Sequence, residues 1–156
     1  MDDMENLLRF FTELRQELDH LTQLQQQKIE AVRAHDLEVL NGCMKQEQAV
    51  SLALRGLEQK REKLLEALGL SGVPLLELDR RCPPKYRGEV AQATDKVRKQ
   101  YALLRSAQEA ARTVVEKDLR AVNQELERRG LRSESDDSYQ TPSSSPLRGM
   151  GADFRA

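Results

Sequence analysis

Tryptophan is absent from this 156-residue chain, and three Phe and three Tyr bring the aromatics to only 4%. A thick globular core leans on such side chains. Without them the apolar inventory is mostly Leu, Val and Ala, a mixture that suits long exposed helices. Nor does any stretch approach the roughly 20 uninterrupted apolar residues of a membrane-spanning helix. Cys43 and Cys82 stand alone, without the CxxC spacing of a zinc or redox site. Two lone thiols suit a reducing cytosol and fit packing roles better than a disulfide. The opening Met1-Asp2-Asp3-Met4-Glu5 is acidic where a secretory signal is basic and then apolar. Such a chain is expected to be cytoplasmic, with no membrane span and one thin core.

The usual marks of catalysis are also missing. No Gly-rich phosphate loop, nucleophile elbow or HExxH is present. His20 and His35 lie about four turns apart on one expected helix and cannot share a site without another element. Carboxylates are scattered over helix surfaces, where charge runs usually form a solvated face. We therefore expect no enzyme, no metal site and no cofactor.

What the chain does have is charge and helical periodicity. Charged residues are 33% of the total, and the net charge of −1 conceals an asymmetry. Residues 1–40 carry 4 basic and 9 acidic side chains, whereas residues 80–130 carry 13 basic and 7 acidic. Opposite signs favour packing these two segments side by side. Nucleic-acid binding by the basic segment is not expected, because its Lys and Arg are interleaved with acids and aromatic stacking partners are scarce.

Leu7, Phe11, Leu14, Leu18 and Leu21 recur at three- and four-residue spacing and predict a first amphipathic helix. The stripe fails near His35-Asp36, where Asp36 suits an N-cap, although no Gly or Pro marks the break. A second helix over about 36–68 places Leu37, Leu40, Met44, Val50, Leu54, Leu57, Leu64 and Leu68 on one side. Glu47 and Arg61 interrupt that side and imply incomplete burial. Gly69 suits a C-cap, and a short helix through Leu75, Leu76 and Leu78 is expected to stop before Pro83-Pro84. Pro84 then sits in the first turn of the longest helix. Its stripe runs Val90, Ala93, Val97, Tyr101, Leu104, Ala107, Ala111, Val115, Leu119, Val122 and Leu126 and closes at Gly130. That helix would be about 65–70 Å long, against about 45–50 Å for the first two.

The fold class expected is all-α: an elongated antiparallel bundle, or coiled coil, of three long helices plus one short one. Residues 1–130 form the bundle. Residues 131–156 hold six Ser, two Pro and two Gly and are expected to be a disordered tail. The longest helix should overhang its neighbours. Ala107, Ala110 and Ala111 are small enough to admit the chain's own first helix, whereas Val115, Leu119, Val122 and Leu126 beyond them are candidates for taking a partner's amphipathic helix.

Several segments resemble the FlgN family of flagellar export chaperones. They are Gln26-Gln27-Lys28, Asp36-Leu37-Glu38-Val39-Leu40, Glu47-Gln48-Ala49, the run Leu57-Glu58-Gln59-Lys60-Arg61-Glu62-Lys63-Leu64-Leu65, and Leu68-Gly69-Leu70 behind it. The short third helix, the long last helix and the tail follow the same order. The resemblance implies a cytoplasmic chaperone for hook-filament junction proteins, which caps their C-terminal helices, prevents premature assembly and delivers them to the type III export gate. It places substrate binding on the last helix, here Val115, Leu119, Val122 and Leu126. It also links a tyrosine after that helix, here Tyr139, to docking on the cytoplasmic domain of the export gate membrane protein. It requires no nucleotide or metal. The alternative from the residues alone is a structural coiled-coil adaptor that forms a homodimer through the same stripes.

Overall fold

The computed structural model describes residues 2–130. Helix α1, Asp3–Arg33, is opened by Asp2, whose carboxylate accepts the Met4 amide at 3.2 Å, and Asp3 and Glu5 in its first turn suit the positive helix end. Met4, Leu7, Phe11, Leu14, Leu18 and Leu21 line one stripe, widened by Phe10 and Leu24, and all are buried. The seam expected from the sequence is thus the centre of the core.

The turn after α1 uses no glycine. His35 adopts the left-handed conformation at φ 53°. Its amide donates to the Val32 carbonyl at 3.1 Å, and the Asp36 amide donates to the Ala31 carbonyl at 2.9 Å. This pair of bonds is a Schellman ending, a motif that normally employs glycine. The Asp36 carboxylate then accepts the Val39 amide at 3.1 Å and starts α2, Leu37–Ala67. An L side chain in the left-handed region is strained by about 1–2 kcal/mol. Glycine would add about 0.5–1 kcal/mol of unfolded-state entropy. His35→Gly is therefore expected to stabilise the protein by up to about 1 kcal/mol, visible as a higher urea midpoint.

Helix α2 corrects the expected stripe. Leu37 and Met44 are 72% and 49% exposed, while Cys43 and Leu65 are buried beside Val50 and Leu54. From Leu40, steps of three and four residues lead through Cys43, Glu47, Val50, Leu54, Leu57, Arg61, Leu65 and Leu68. This path crosses two charged residues that hydrophobicity alone steps around. Both are half-buried: Glu47 meets Lys28 at 3.0 Å, and Arg61 pairs with Glu58. Gly69, at φ 70°, ends the helix. Its amide donates to the Glu66 carbonyl at 3.0 Å, and that of Leu70 to the Leu65 carbonyl at 2.7 Å, with both leucines buried.

The connection to the last helix is a plug rather than a loose loop. A 3-10 turn at Leu75–Glu77 leads into α3, Leu78–Arg81, and a second at Pro84–Tyr86 leads into α4, Arg87–Arg128. The short helix expected from the sequence is therefore a 3-10 turn with a single α-turn behind it, and Pro84 belongs to a turn just before α4. Leu70, Leu75, Leu78 and Cys82 are buried in the same core as Met4 and Leu7.

α1 is the central rod, with extensive packing against both α2 and α4. Lys28 meets Glu47 and Lys60 meets Glu13, so α2 runs antiparallel to α1. Tyr86 bonds Asp2, and Gln100 Nε2 donates to Thr22 Oγ1 at 3.2 Å, so α4 runs parallel to α1 and antiparallel to α2. The acidic and basic segments, α1 and α4, do lie side by side, yet these two ion pairs join α1 to α2.

The Tyr86 hydroxyl donates to the Asp2 carboxylate and ties the start of α1 to the turn before α4. That bond holds the Asp2 carboxyl below its usual range of 3.8 and pushes the Tyr86 phenol from 10 up to about 12. A depressed carboxyl stabilises the fold above its unfolded value and loses that effect as pH falls through the folded one. A raised phenol stabilises below 10 and loses it as pH rises toward about 12. The clamp is therefore expected to be intact from about pH 4 to about pH 10 and to fail on both sides. Tyr86→Phe should reduce the alkaline loss of stability by the clamp's share, measured by urea midpoints between pH 9 and 12 against the parent.

Candidate binding seam on the distal part of α4

The inner face of α4 begins as core. Val90, Val97, Tyr101 and Leu104 are buried, and the Thr94 hydroxyl in the same stripe donates to the Val90 carbonyl at 3.0 Å. The continuous core reaches Leu24 on α1, Val50 on α2 and Leu104 on α4. Beyond it Ala31, Val32, Cys43 and Ala111 are still buried, but outside that cluster. Ala111 is the last buried residue of α4. The same three- and four-residue steps then continue through Val115, Leu119, Val122 and Leu126. Val115 is 37% exposed and Val122 48%, while Leu119 and Leu126 are half-buried.

Helix length accounts for this change. α1 has 31 residues and α4 has 42. Because the two start together at Asp2 and Tyr86, α1 runs out first. Its last turn and the following bend, at Val32, Arg33 and His35, face Thr113, Val114, Lys117, Asp118 and Ala121 across a shallow cleft. From Ala121 to Arg128 the helix extends about 10 Å beyond that point. The four candidate residues therefore lie on the core-facing stripe of α4, where the core itself is thinning out. Of the three alanines expected to admit α1, Ala111 is buried and Ala107 half-buried, but Ala110 is exposed.

Charges flank the seam. Arg112, Glu116, Lys117 and Arg120 are exposed, and Glu125 is bonded by both Arg128 and Arg129, the latter at 3.0 Å from its Nε. Gly130, at φ 74°, follows the helix, and its amide donates to the Glu127 carbonyl at 3.0 Å. Tyr139, the residue linked by resemblance to gate docking, lies outside the described residues, as does the whole segment expected to be disordered.

Other reactive groups sit elsewhere. His20 and His35 are exposed and separate. Cys43 and Cys82 are buried free thiols, and burial pushes both upward from the ordinary thiol value, so they stay protonated near neutral pH. Among the described residues no helix is long and apolar enough to cross a membrane. Sequence reasoning did not single out the apolar surface on α2, where Val39 and Leu52 are 48% and 66% exposed alongside Leu37 and Met44.

A long helical hairpin, a plugged end and a last helix that outruns its partner are the features to set beside known families. The family described as FlgN protein matches residues 1–130. The chain belongs to the FlgN family. That is a family of flagellar chaperones rather than of enzymes. The match spans all the described helices of this FlgN-family chain, the overhanging seam included. No curated protein and no solved structure matches it.

Proposed function

We propose that the chain is a cytoplasmic flagellar secretion chaperone that captures the C-terminal amphipathic helices of hook-filament junction proteins along Val115, Leu119, Val122 and Leu126. It holds them from premature assembly and delivers them to the cytoplasmic domain of the type III export gate, with Tyr139 in the tail as the docking residue. The observation that carries the reading is the continuation of the core stripe onto a helix end that outruns α1. Family membership supplies the chaperone role. A client helix laid on the seam removes apolar surface from water at about 25 cal/mol per Å², less the ordering of both partners. In this reading residues 1–130 are the bundle domain and residues 131–156 its functional extension.

Titration of the full chain with peptides carrying the C-terminal segments of hook-filament junction proteins tests the proposal. Saturable binding that perturbs residues 112–128 is expected, and a peptide that perturbs only the end of the bundle near Met4 and Leu78 would refute it. A homodimeric coiled-coil adaptor is the competing reading. It requires a stable elongated dimer without client in sedimentation equilibrium.

A further inference from the structure

Helices α2 and α4 both pack extensively on α1 but not on one another, which leaves a gap between them. The gap lies away from the two outer grooves, where Ala53 and Lys60 of α2 face Glu13 and Gln16, and Gln92 and Lys96 of α4 face Thr12 and Arg15. At the start of α1 the chain fills this gap itself. Leu70 sits on α2, its amide bonded to the Leu65 carbonyl, and α3 packs on α4. Leu75, Leu78 and Cys82, spaced three and four residues apart, turn one face of this helical piece into the core.

At the other end of the gap no described residue takes that part. On α2 the seven-residue series Leu37, Met44, Ser51, Glu58 and Leu65 keeps to the side opposite Ala53 and Lys60. Leu65 is buried beside the plug, whereas Leu37 and Met44 are exposed. On α4 the series Thr94, Tyr101, Gln108, Val115 and Val122 lies away from Gln92 and Lys96, and it too starts buried and ends exposed. The two exposed ends are level with each other. Glu47 is paired with Lys28, Met44 lies one turn nearer the bend, and Leu37 two turns beyond it. There Val32 and Arg33 face Thr113 and Val114, and the seam of α4 leaves the core.

Resting on the client-capture reading above, we propose that the client helix lies in this gap, between Leu37 and Met44 of α2 and the seam of α4, as the plug does at the opposite end. The plug sets the chemistry of the occupant: a helix with apolar side chains at i, i+3 and i+7 turned inward and its polar side in water. One wall is too little. A stripe of four seam side chains falls short of the roughly 1,000 Å² that a stable interface between separate molecules buries. A second wall lets the same helix bury two of its faces. A second copy of the chain fits less well, because the stripe of its α1 is already buried in its own core. Its overhang, laid antiparallel about Leu119 and Val122, sets Glu116 against Glu125 and Arg112 against Arg129.

The test titrates a peptide carrying the C-terminal helix of a hook-filament junction protein into the full chain and into its Leu37→Gln/Met44→Gln variant. Both substitutions remove exposed side chains, and the urea midpoint should match that of the parent. The variant is expected to bind about tenfold more weakly, still at one peptide per chain. Val39→Gln, an exposed position on the Ala53 side of α2, should change affinity by less than about twofold. Unchanged binding in the variant, or an equal loss in Val39→Gln, overturns the gap as the site and leaves capture on α4 standing. Two peptides per chain, one of them lost in the variant, also overturn it, because the walls would then be separate sites. So does a client-free dimer that the variant dissociates, which would make the occupant a second copy. A peptide that does not bind even the parent defeats the client reading itself, and the gap proposal falls with it.

Discussion

Leu18→Ala is expected to lower the unfolding free energy by about 3–5 kcal/mol, read from urea midpoints at constant m-value. Leu18 is fully buried on α1, the one helix that packs extensively against both α2 and α4. A cavity there opens in the core that all three long helices share. The neighbours are long rods fixed by their own hydrogen bonds, so they cannot close on the void without shifting along their length. Domains of this size have only about 5–15 kcal/mol in all, and the variant should stand close to its unfolding threshold at physiological temperature. Leu52→Ala, by contrast, truncates a leucine that is 66% exposed on α2 and should change stability by no more than about 0.5 kcal/mol. The pair separates a core leucine from a surface one on helices of the same length.

Both were leucines in amphipathic sequence, and the periodicity distinguished them unevenly. On α1 the apolar steps are unbroken, and Leu7 through Leu21 read directly as the core. On α2 the inward face runs through Glu47 and Arg61, so a reading that follows only apolar residues drifts to Leu37 and Met44. The pairing of Glu47 with Lys28 that lets a carboxylate occupy the face lies on another helix and is invisible along the chain. The α1–α2 turn was legible in its N-cap, Asp36, but not in its left-handed residue, because histidine does the work that glycine usually signals. The sequence between Leu70 and Cys82 shows a short helix through Leu75, Leu76 and Leu78 but not the burial of Leu70, Leu75, Leu78 and Cys82, since a handful of apolar residues between turns gives no period to follow.

The seam was the easier part. Val115, Leu119, Val122 and Leu126 continue the α4 steps without a fault. Their distinction from core residues upstream follows from a difference in length, 31 residues against 42, that helix caps made readable. What the period could not give is where α1 stops relative to α4. The Asp2–Tyr86 bond and the cleft between Val32 and Val114 settle that register.

That register makes the second large effect specific. Leu119→Gln/Val122→Gln in the full chain is expected to weaken client-peptide binding by about 30- to 150-fold, or about 2–3 kcal/mol at 1.4 kcal/mol per tenfold. The estimate is about half of what complete burial of two such side chains would contribute, because Leu119 is already half-buried and Val122 only 48% exposed. Glutamine is a good helix former, so the helix itself should persist. No core contact is lost either, since the last buried residue of α4 is Ala111. Circular dichroism and the urea midpoint should therefore match the parent to within about 0.5 kcal/mol. Leu103→Gln provides the control: Leu103 is 59% exposed and lies off the stripe that carries Leu104 and Ala111. If it weakens binding as much as the seam variant does, the client is held by diffuse apolar contact along α4. Loss confined to Leu119 and Val122 means that the client takes over the packing α1 provides farther up the same helix, completing on the overhang the interface that α1 leaves unfinished.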